Sequence, residues 1–304
     1  MRPVDAHSNP ASSTSLADIA RAAMPATARL RFPGAGMFDM LAIAFLALLV
    51  LVALFVDIIP GLVSPKFPYG DFSQLPDLTL NGLFGTDEIG RSILSRVLYG
   101  ARASLSIVLV ATCLSVSVGI LLGMLAGYYR GPLERMVDLY ANTMSALPSI
   151  LVVLAFVTAT GTSVLAIMLI LGILDIGTYA RVAKAGVISQ NNRDYVLAAR
   201  AMGASDARIM IREILPNLVP ALTAVMPTLM AGLIITEGSL SFLGYGIPAP
   251  APSWGGMIAA STDLLSRFPV LIVGPTGAIV LTVYALNTVG DYLAQRLNSR
   301  ERGN

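Results

Sequence analysis

Residues 103–129, 214–236 and 268–290 run for 27, 23 and 23 positions without a single Asp, Glu, Lys, Arg or His. No other property of the chain restricts its fold so strongly. A helix rising about 1.5 Å per residue crosses the hydrocarbon core of a bilayer with about 20 mainly apolar residues, so each run suffices for one crossing. A fourth stretch, MLAIAFLALLVLVALFV at 40–56, lies between Asp39 and Asp57 and gives 17 uncharged residues, at the lower limit for spanning. It begins far from the start of the chain and no small-residue cleavage site follows it cleanly, so it reads as a retained helix rather than a signal peptide. Between Leu139 and Ala180 the only charge is Asp175, and these 42 residues are enough for two crossings. TATGTS at 158–163 supplies a turn between them, because Gly161 relaxes the backbone restriction and the hydroxyls satisfy local polar groups. The expectation is an all-α, polytopic membrane protein with six spans, near 38–58, 103–127, 138–159, 163–183, 217–238 and 269–291.

Composition agrees. Only 12% of the 304 residues are charged, against about 25% in soluble domains, and the mean hydropathy is +0.74. The single cysteine, Cys113, falls inside the second span and reads as a small apolar core residue. The single histidine, His7, lies in the polar start of the chain, so no Cys/His cluster argues for a metal. A net charge of +2 with no basic domain gives no case for nucleic acid. There is no GxxxxGK[ST] loop and no intramembrane Ser/His or His/Asp/Glu cluster, so the chain is not expected to be an enzyme.

With six spans both termini share a side. If that side is the cytoplasm, 15 of the 20 basic residues face it, leaving Lys66, Arg91, Arg96, Arg102 and Arg267 outside. That asymmetry satisfies the positive-inside rule. The organisation expected is a loose cytoplasmic N-terminal tail at 1–35, a membrane domain at 36–298 and a C-terminal tail at 299–304. Residues 58–102 then form an extracytoplasmic connection. Its end, 87–105, is read as an interfacial helix with Ile89, Ile93, Val97 and Leu98 on its apolar face while Arg91 and Arg96 snorkel.

The segment DYVLAARAMGASDARIMIREILPN (194–217) is a hydrophilic interruption placed on the cytoplasmic side. VLAARAM favours a helix, Gly203 interrupts it, and Ser205 is a good N-cap for a second short helix with Asp206 in its first turn. Pro216 stands where the next membrane helix begins. Val196, Ala199 and Met202 or Gly203 recur at three- and four-residue spacing, a small-residue stripe that permits close approach by another surface. Physics alone leaves two readings, an amphipathic connector on the inner leaflet or a docking element.

Leu197-Ala198-Ala199, Gly203 and Glu213-Ile214-Leu215-Pro216 resemble the EAA loop of binding-protein-dependent ABC transporter permeases. Leu197 replaces the pattern's glutamate and Glu213 stands at its isoleucine. GTDEIGRSILSRVLYGAR (85–102), GYYRG (127–131), EGSLSFLG (237–244), PSWGGMI (252–258) and LNTVGDYL (286–293) are similar to the C-type subunit of the dipeptide/oligopeptide/nickel branch, in order over about 38–296. The resemblance implies a bacterial inner-membrane permease with both termini cytoplasmic. It would pair with a homologous B-type permease, two ABC ATPase subunits and an extracytoplasmic solute-binding protein, and would bind no cofactor itself, ATP and Mg belonging to the ATPases. It also implies a cytoplasmic helix-turn-helix coupling loop at 184–216, with Ala198, Ala199, Gly203, Asp206, Leu215 and Pro216 in the coupling surface and Arg200 and Arg208 as charged contacts.

Ionisable groups inside a membrane are costly unless paired or wet, which makes Asp175 and Glu237 pathway or gating candidates. Trp254 is read either as an interface anchor or as lining the outer opening. Ser104, Ser115, Ser117, Gly119, Gly123 and Gly127 fit the second span for close interhelical packing. Peptide import is the expected function, with nickel, glutathione or another small solute as the alternative cargo. An ion-coupled secondary transporter would need inverted repeats, of which the sequence gives no sign, and a purely structural subunit would be indifferent to substitutions in the loop.

Overall fold

The computed structural model describes residues 35–301, with side chains from Gly36 to Arg296. The expected tail at 1–35, with His7, lies almost wholly outside the described residues, as do 302–304. From Phe38 onward the chain forms one unit. Its regular structure among the described residues is helical, apart from one isolated bridge between Thr86 and Ser92.

The long elements are α1 (Ala35–Phe55), α2 (Ile93–Tyr129), α3 (Pro132–Ala146), α4 (Ser149–Thr160) and α5 (Val164–Gln190). After them come α6 (Asp194–Ala201), α7 (Asp206–Arg208), α8 (Leu215–Phe242), α9 (Trp254–Ala260) and α10 (Val273–Glu301). Among the described residues, five helices are long and apolar enough to cross a membrane, and a sixth crossing exists only if the bent pair α3–α4 counts as one. This corrects the third expected span. The chain turns by 89° between Ala146 and Ser149, so 138–159 is not one straight helix. Pro148 is the cause: it lacks an N–H and pushes Leu147 out of the helical region, to ψ 132°. The 12 residues of α4 reach only about 18 Å, short of a crossing. The TATGTS turn forms where expected, with Gly161 at φ 87° closing α4.

The principal contact joins α2 to α5, and small residues make it. A Cβ on Gly119 would lie 2.8 Å from Ile176 O, one on Gly123 2.3 Å from Ala180 O, and one on Gly127 2.9 Å from Lys184 O. The backbones therefore touch directly. Ser115 Oγ lies 2.7 Å from Gly172 O across the same seam. Between apolar helices in lipid there is little hydrophobic drive to associate, so close packing and such hydrogen bonds carry the contact. Cys113, expected in the core, is exposed on the other side of α2.

Two ends of the bundle are defined by contacts. Near the start of α2, Trp254 Nε1 donates to Val97 O, and Gly274 packs beside Val97 and Ile93. Near the end of α2, Tyr128 meets Arg200 and Asp206. The 59–92 and 243–268 connections thus share one end, and the 194–217 segment lies at the opposite end.

The interfacial helix expected at 87–105 does not form. Residues 85–92 are a turn, and α2 begins at Ile93 and runs without a break into the span. Arg91 and Arg96 do not snorkel. Arg91 Nε lies 2.7 Å and Arg96 Nε 3.5 Å from Asp87 Oδ2, and Arg96 also donates to Pro65 O at 3.2 Å. Asp87 is thereby the post on which the connection folds against the start of α2.

Candidate functional site

The 194–217 segment is built from two sides of one short helix. Val196 and Ala199 of α6 are 0% and 6% exposed and join a cluster with Met124, Val187, Ile209 and Ile214. The Val196 and Ala199 part of the stripe read as a docking face is therefore consumed inside the chain, sealing α6 onto α2, α5 and the start of the next helix, while Met202 and Gly203 stay exposed. The outer face is a different set. Leu197 is 47% and Met202 81% exposed, with Ala198 and Ala201 exposed between them. Leu197 and Ala201, and likewise Ala198 and Met202, are four residues apart, so the four side chains share one side of the helix. Ala201 was missed, and Met202 was read on one stripe with Val196 and Ala199, because both faces obey the same spacing rule; only burial separates them.

After α6, Gly203 takes φ 79° and its N–H bonds Arg200 O at 3.0 Å. Ser205 Oγ caps α7 by accepting from Arg208 N. The second short helix leads straight into the membrane helix. α7, a π-helical stretch at Ile209–Ile214 and α8 follow one another directly, so Asp206–Phe242 runs as one 37-residue helical element. Pro216 falls in the first turn of α8, where its missing N–H costs little. Leu215 is half-buried against the α6 cluster, and Pro216 is exposed.

The polar residues chosen here divide. Tyr128 OH donates to Asp206 Oδ1 at 2.7 Å, and Arg200 reaches Asn191 Oδ1 at 3.1 Å while its guanidinium lies 5.8 Å from the Tyr128 ring centroid. Arg200 and Asp206 are thus held by Tyr128 at the end of α2. A second clamp runs through Tyr195, which donates to Gln190 Oε1 at 2.7 Å and receives Asn217 Nδ2 at 3.3 Å. The Tyr195 hydroxyl is a donor at neutral pH, as tyrosine ordinarily is, and partial burial raises its pKa further. Arg208 is exposed and engages no side chain within the described residues.

The three membrane candidates are not brought together. Glu237 is 1% exposed on α8. Its Oε1 accepts from Ser241 Oγ at 2.8 Å, and the buried Ser104 hydroxyl faces the same carboxylate without a hydrogen bond of ordinary geometry among the described residues. Trp254 is fully enclosed, its indole N–H 2.9 Å from Val97 O, so it neither anchors at an interface nor lines an opening. Of the three, Asp175 lines an open groove among the described residues. It lies on α5, facing a space of about 190 Å³ shared with Ser149 of α4 and Thr228, Gly232 and Thr236 of α8. The helix that leaves the α6 platform through the π-helical stretch is the same one that forms this cavity's wall.

Residues 119–303 match the family described as binding-protein-dependent transport system inner membrane component. The chain is 36% identical over 261 residues to the di/tripeptide transport system permease protein DppC of Pseudomonas aeruginosa, covering 84% of this chain and 86% of that one. It is 30% identical to the oligopeptide transport system permease protein OppC of Bacillus subtilis, with 84% and 86% covered. It is 35% identical to the glutathione transport system permease protein GsiD of Escherichia coli, with 87% of each covered. Among solved structures, inward-facing conformations of the MetNI methionine ABC transporter share the fold, with a TM-score of 0.55 at 19% identity, covering 67% of this chain and 97% of the other.

Proposed function

This chain belongs to the family of binding-protein-dependent transport system inner membrane components, and on that premise we propose that it forms half of a translocation pathway for dipeptides or oligopeptides. The peptide assignment rests on the relatives that match over most of the chain. Glutathione, itself a tripeptide, falls within the same reading, and nickel is the outcome that would displace it.

The other half of the pathway is a homologous permease, solute arrives from an extracytoplasmic binding protein, and two ATPase subunits holding ATP and Mg drive the cycle. Both termini and the α6 platform face the cytoplasm, since 15 of 20 basic residues then lie inside. One observation carries the mechanism. The inner face of α6 is locked to the ends of α2 and α5 while its outer face, Leu197, Ala198, Ala201 and Met202, stands exposed beyond the spans.

Mechanically, an ATPase gripping that outer face moves α6 as a rigid piece, because its cluster is buried and its ends are clamped through Tyr128 and Tyr195. Gly203 and the π-helical stretch are the two irregular points between α6 and α8, and π-bulges often stand at functional sites. Displacement then passes to Thr228, Gly232 and Thr236 and changes the cavity at Asp175. The exposed Arg208 offers a charge to the ATPase, and Leu215 and Pro216 fix the direction in which α8 leaves the platform. With Leu197 at the pattern's acidic position, the contact is apolar there rather than ionic.

Ala198→Trp tests this. The position is exposed, so the chain should insert and fold normally while ATPase co-purification and uptake both fall. Normal values for both would refute docking at this face.

A further inference from the structure

The cavity between α4, α5 and α8 holds a carboxylate that the rest of the fold does not use. Asp175 has no hydrogen bond and no ion pair among the described residues. The basic side chains nearest to it along α5 are engaged elsewhere. Arg181 donates to Ala141 O at 3.1 Å and Ser145 Oγ at 2.9 Å, and Lys184 lies 2.5 Å from Asp138 Oδ1. An uncompensated acid within a span is expensive to keep, and such residues mark sites where a cation or proton arrives.

The surroundings indicate the kind of cation. Two hydroxyl residues, Ser149 and Thr236, line the space with Asp175, while Thr228, also in the lining, turns its Oγ1 towards Gly290 of α10. Thr236 already donates to Gly232 O at 3.0 Å, which leaves its oxygen free to accept. Gly232 is open, with nothing within 4 Å of where a Cβ would stand. A volume of about 190 Å³ exceeds the roughly 30 Å³ share of a water molecule several-fold. It therefore admits the end group of an organic solute. A primary ammonium carries three donors and no acceptor, which suits one carboxylate and neighbouring hydroxyl oxygens. A divalent metal would demand a tighter shell of several carboxylate, carbonyl or imidazole ligands.

We propose that Asp175 receives the protonated amino group of the solute as it passes through this chain's half of the pathway. This rests on the reading of the chain as a peptide permease, and names the part of the peptide that the membrane segment contacts. The Thr236 hydroxyl lies on α8, so motion of that helix against α5 changes the fit and releases the ammonium.

The test uses the purified complex of both permeases and both ATPases without nucleotide, exposed to a dipeptide bearing a diazirine side chain. Labelling is mapped by mass spectrometry onto 171–175 and 228–236. Asp175→Asn is expected to lower labelling about tenfold, the loss of one charge-assisted contact, while Asp175→Glu retains most of it. Unlabelled dipeptide should compete, and its N-acetylated form, lacking the charge, should not. Thr236→Val, which removes one accepting oxygen at nearly constant shape, should move labelling the same way and keeps the test standing if Asp175→Asn fails to assemble. Equal competition by the N-acetylated peptide, unchanged labelling in Asp175→Asn, or equal protection by nickel chloride would each overturn the site. Uptake by the wild-type complex in vesicles separates the two levels. Peptide uptake with unchanged labelling in Asp175→Asn removes the ammonium site alone, whereas absence of peptide uptake removes the peptide reading and this site with it.

Discussion

Replacing Gly123 by alanine puts the α2–α5 seam under a defined load. The added Cβ would stand 2.3 Å from Ala180 O and 2.7 Å from the Ala183 Cβ, where ordinary contact is 3.4–4 Å. Both obstacles are fixed to the helix, so no side-chain rotation relieves them, and the helices must part by about 1 Å. A gap of that size forfeits a quarter to a half of each contact's attraction, here along a seam that includes Gly119, Gly127 and the Ser115–Gly172 hydrogen bond. Overpacking of this kind costs about 1–3 kcal/mol. Alanine returns roughly 0.5–1 kcal/mol through its better helix propensity, leaving a net loss centred on about 1 kcal/mol. Gly277→Ala is the control, because nothing lies within 4 Å of its added Cβ and only the propensity gain remains. Reversible unfolding in mixed micelles with increasing SDS measures both. Gly123→Ala should unfold at lower SDS than wild type and Gly277→Ala at equal or higher SDS. A Gly123→Ala protein as stable as wild type would mean the backbones do not meet there.

Other substitutions probe separate parts of the account. Trp254→Phe keeps most of the buried ring but leaves Val97 O without its donor; a loss of about 1–3 kcal/mol is expected in the same unfolding assay. Asp87→Ala strips a buried guanidinium of its counter-charge, and a cost of about 3 kcal/mol should appear together with faster proteolysis of the 59–92 connection. Ala199→Trp, at a 6% exposed position, should destabilise the α6 cluster by about 1–3 kcal/mol and raise cleavage between Asn191 and Pro216, whereas Ala198→Trp should leave both unchanged.

The membrane class was legible because uncharged runs have a length requirement that few other structures share. Pro148 shows the limit of that reasoning. A hydropathy run says how much apolar chain is present, but a proline converts 138–159 from one crossing into two short helices at 89°. Arg91 and Arg96 show another limit. Their spacing suited a snorkelling face, yet Asp87 lies close enough in space to hold both, and folding of a connection does not register in helical periodicity. In α6 the sequence carried two stripes with the same period, and burial assigns Val196 and Ala199 to the inside and Leu197, Ala198, Ala201 and Met202 to the outside. The polar candidates followed the same rule. Asp175 and Glu237 look equivalent as charges in apolar runs, but one faces a cavity and the other is enclosed beside Ser241. Trp254 was legible as special only through its rarity, since its partner, Val97 O, lies 157 residues away along the chain.

The most direct measurement is accumulation of a radiolabelled dipeptide in proteoliposomes. They would hold this chain, the partner permease and both ATPase subunits, with binding protein supplied on the outer face. The account predicts uptake that requires ATP and the binding protein, is absent when this chain is omitted, and falls with Ala198→Trp at unchanged insertion. Uptake that persists without ATP under an ion gradient, or that proceeds without this chain, would contradict it.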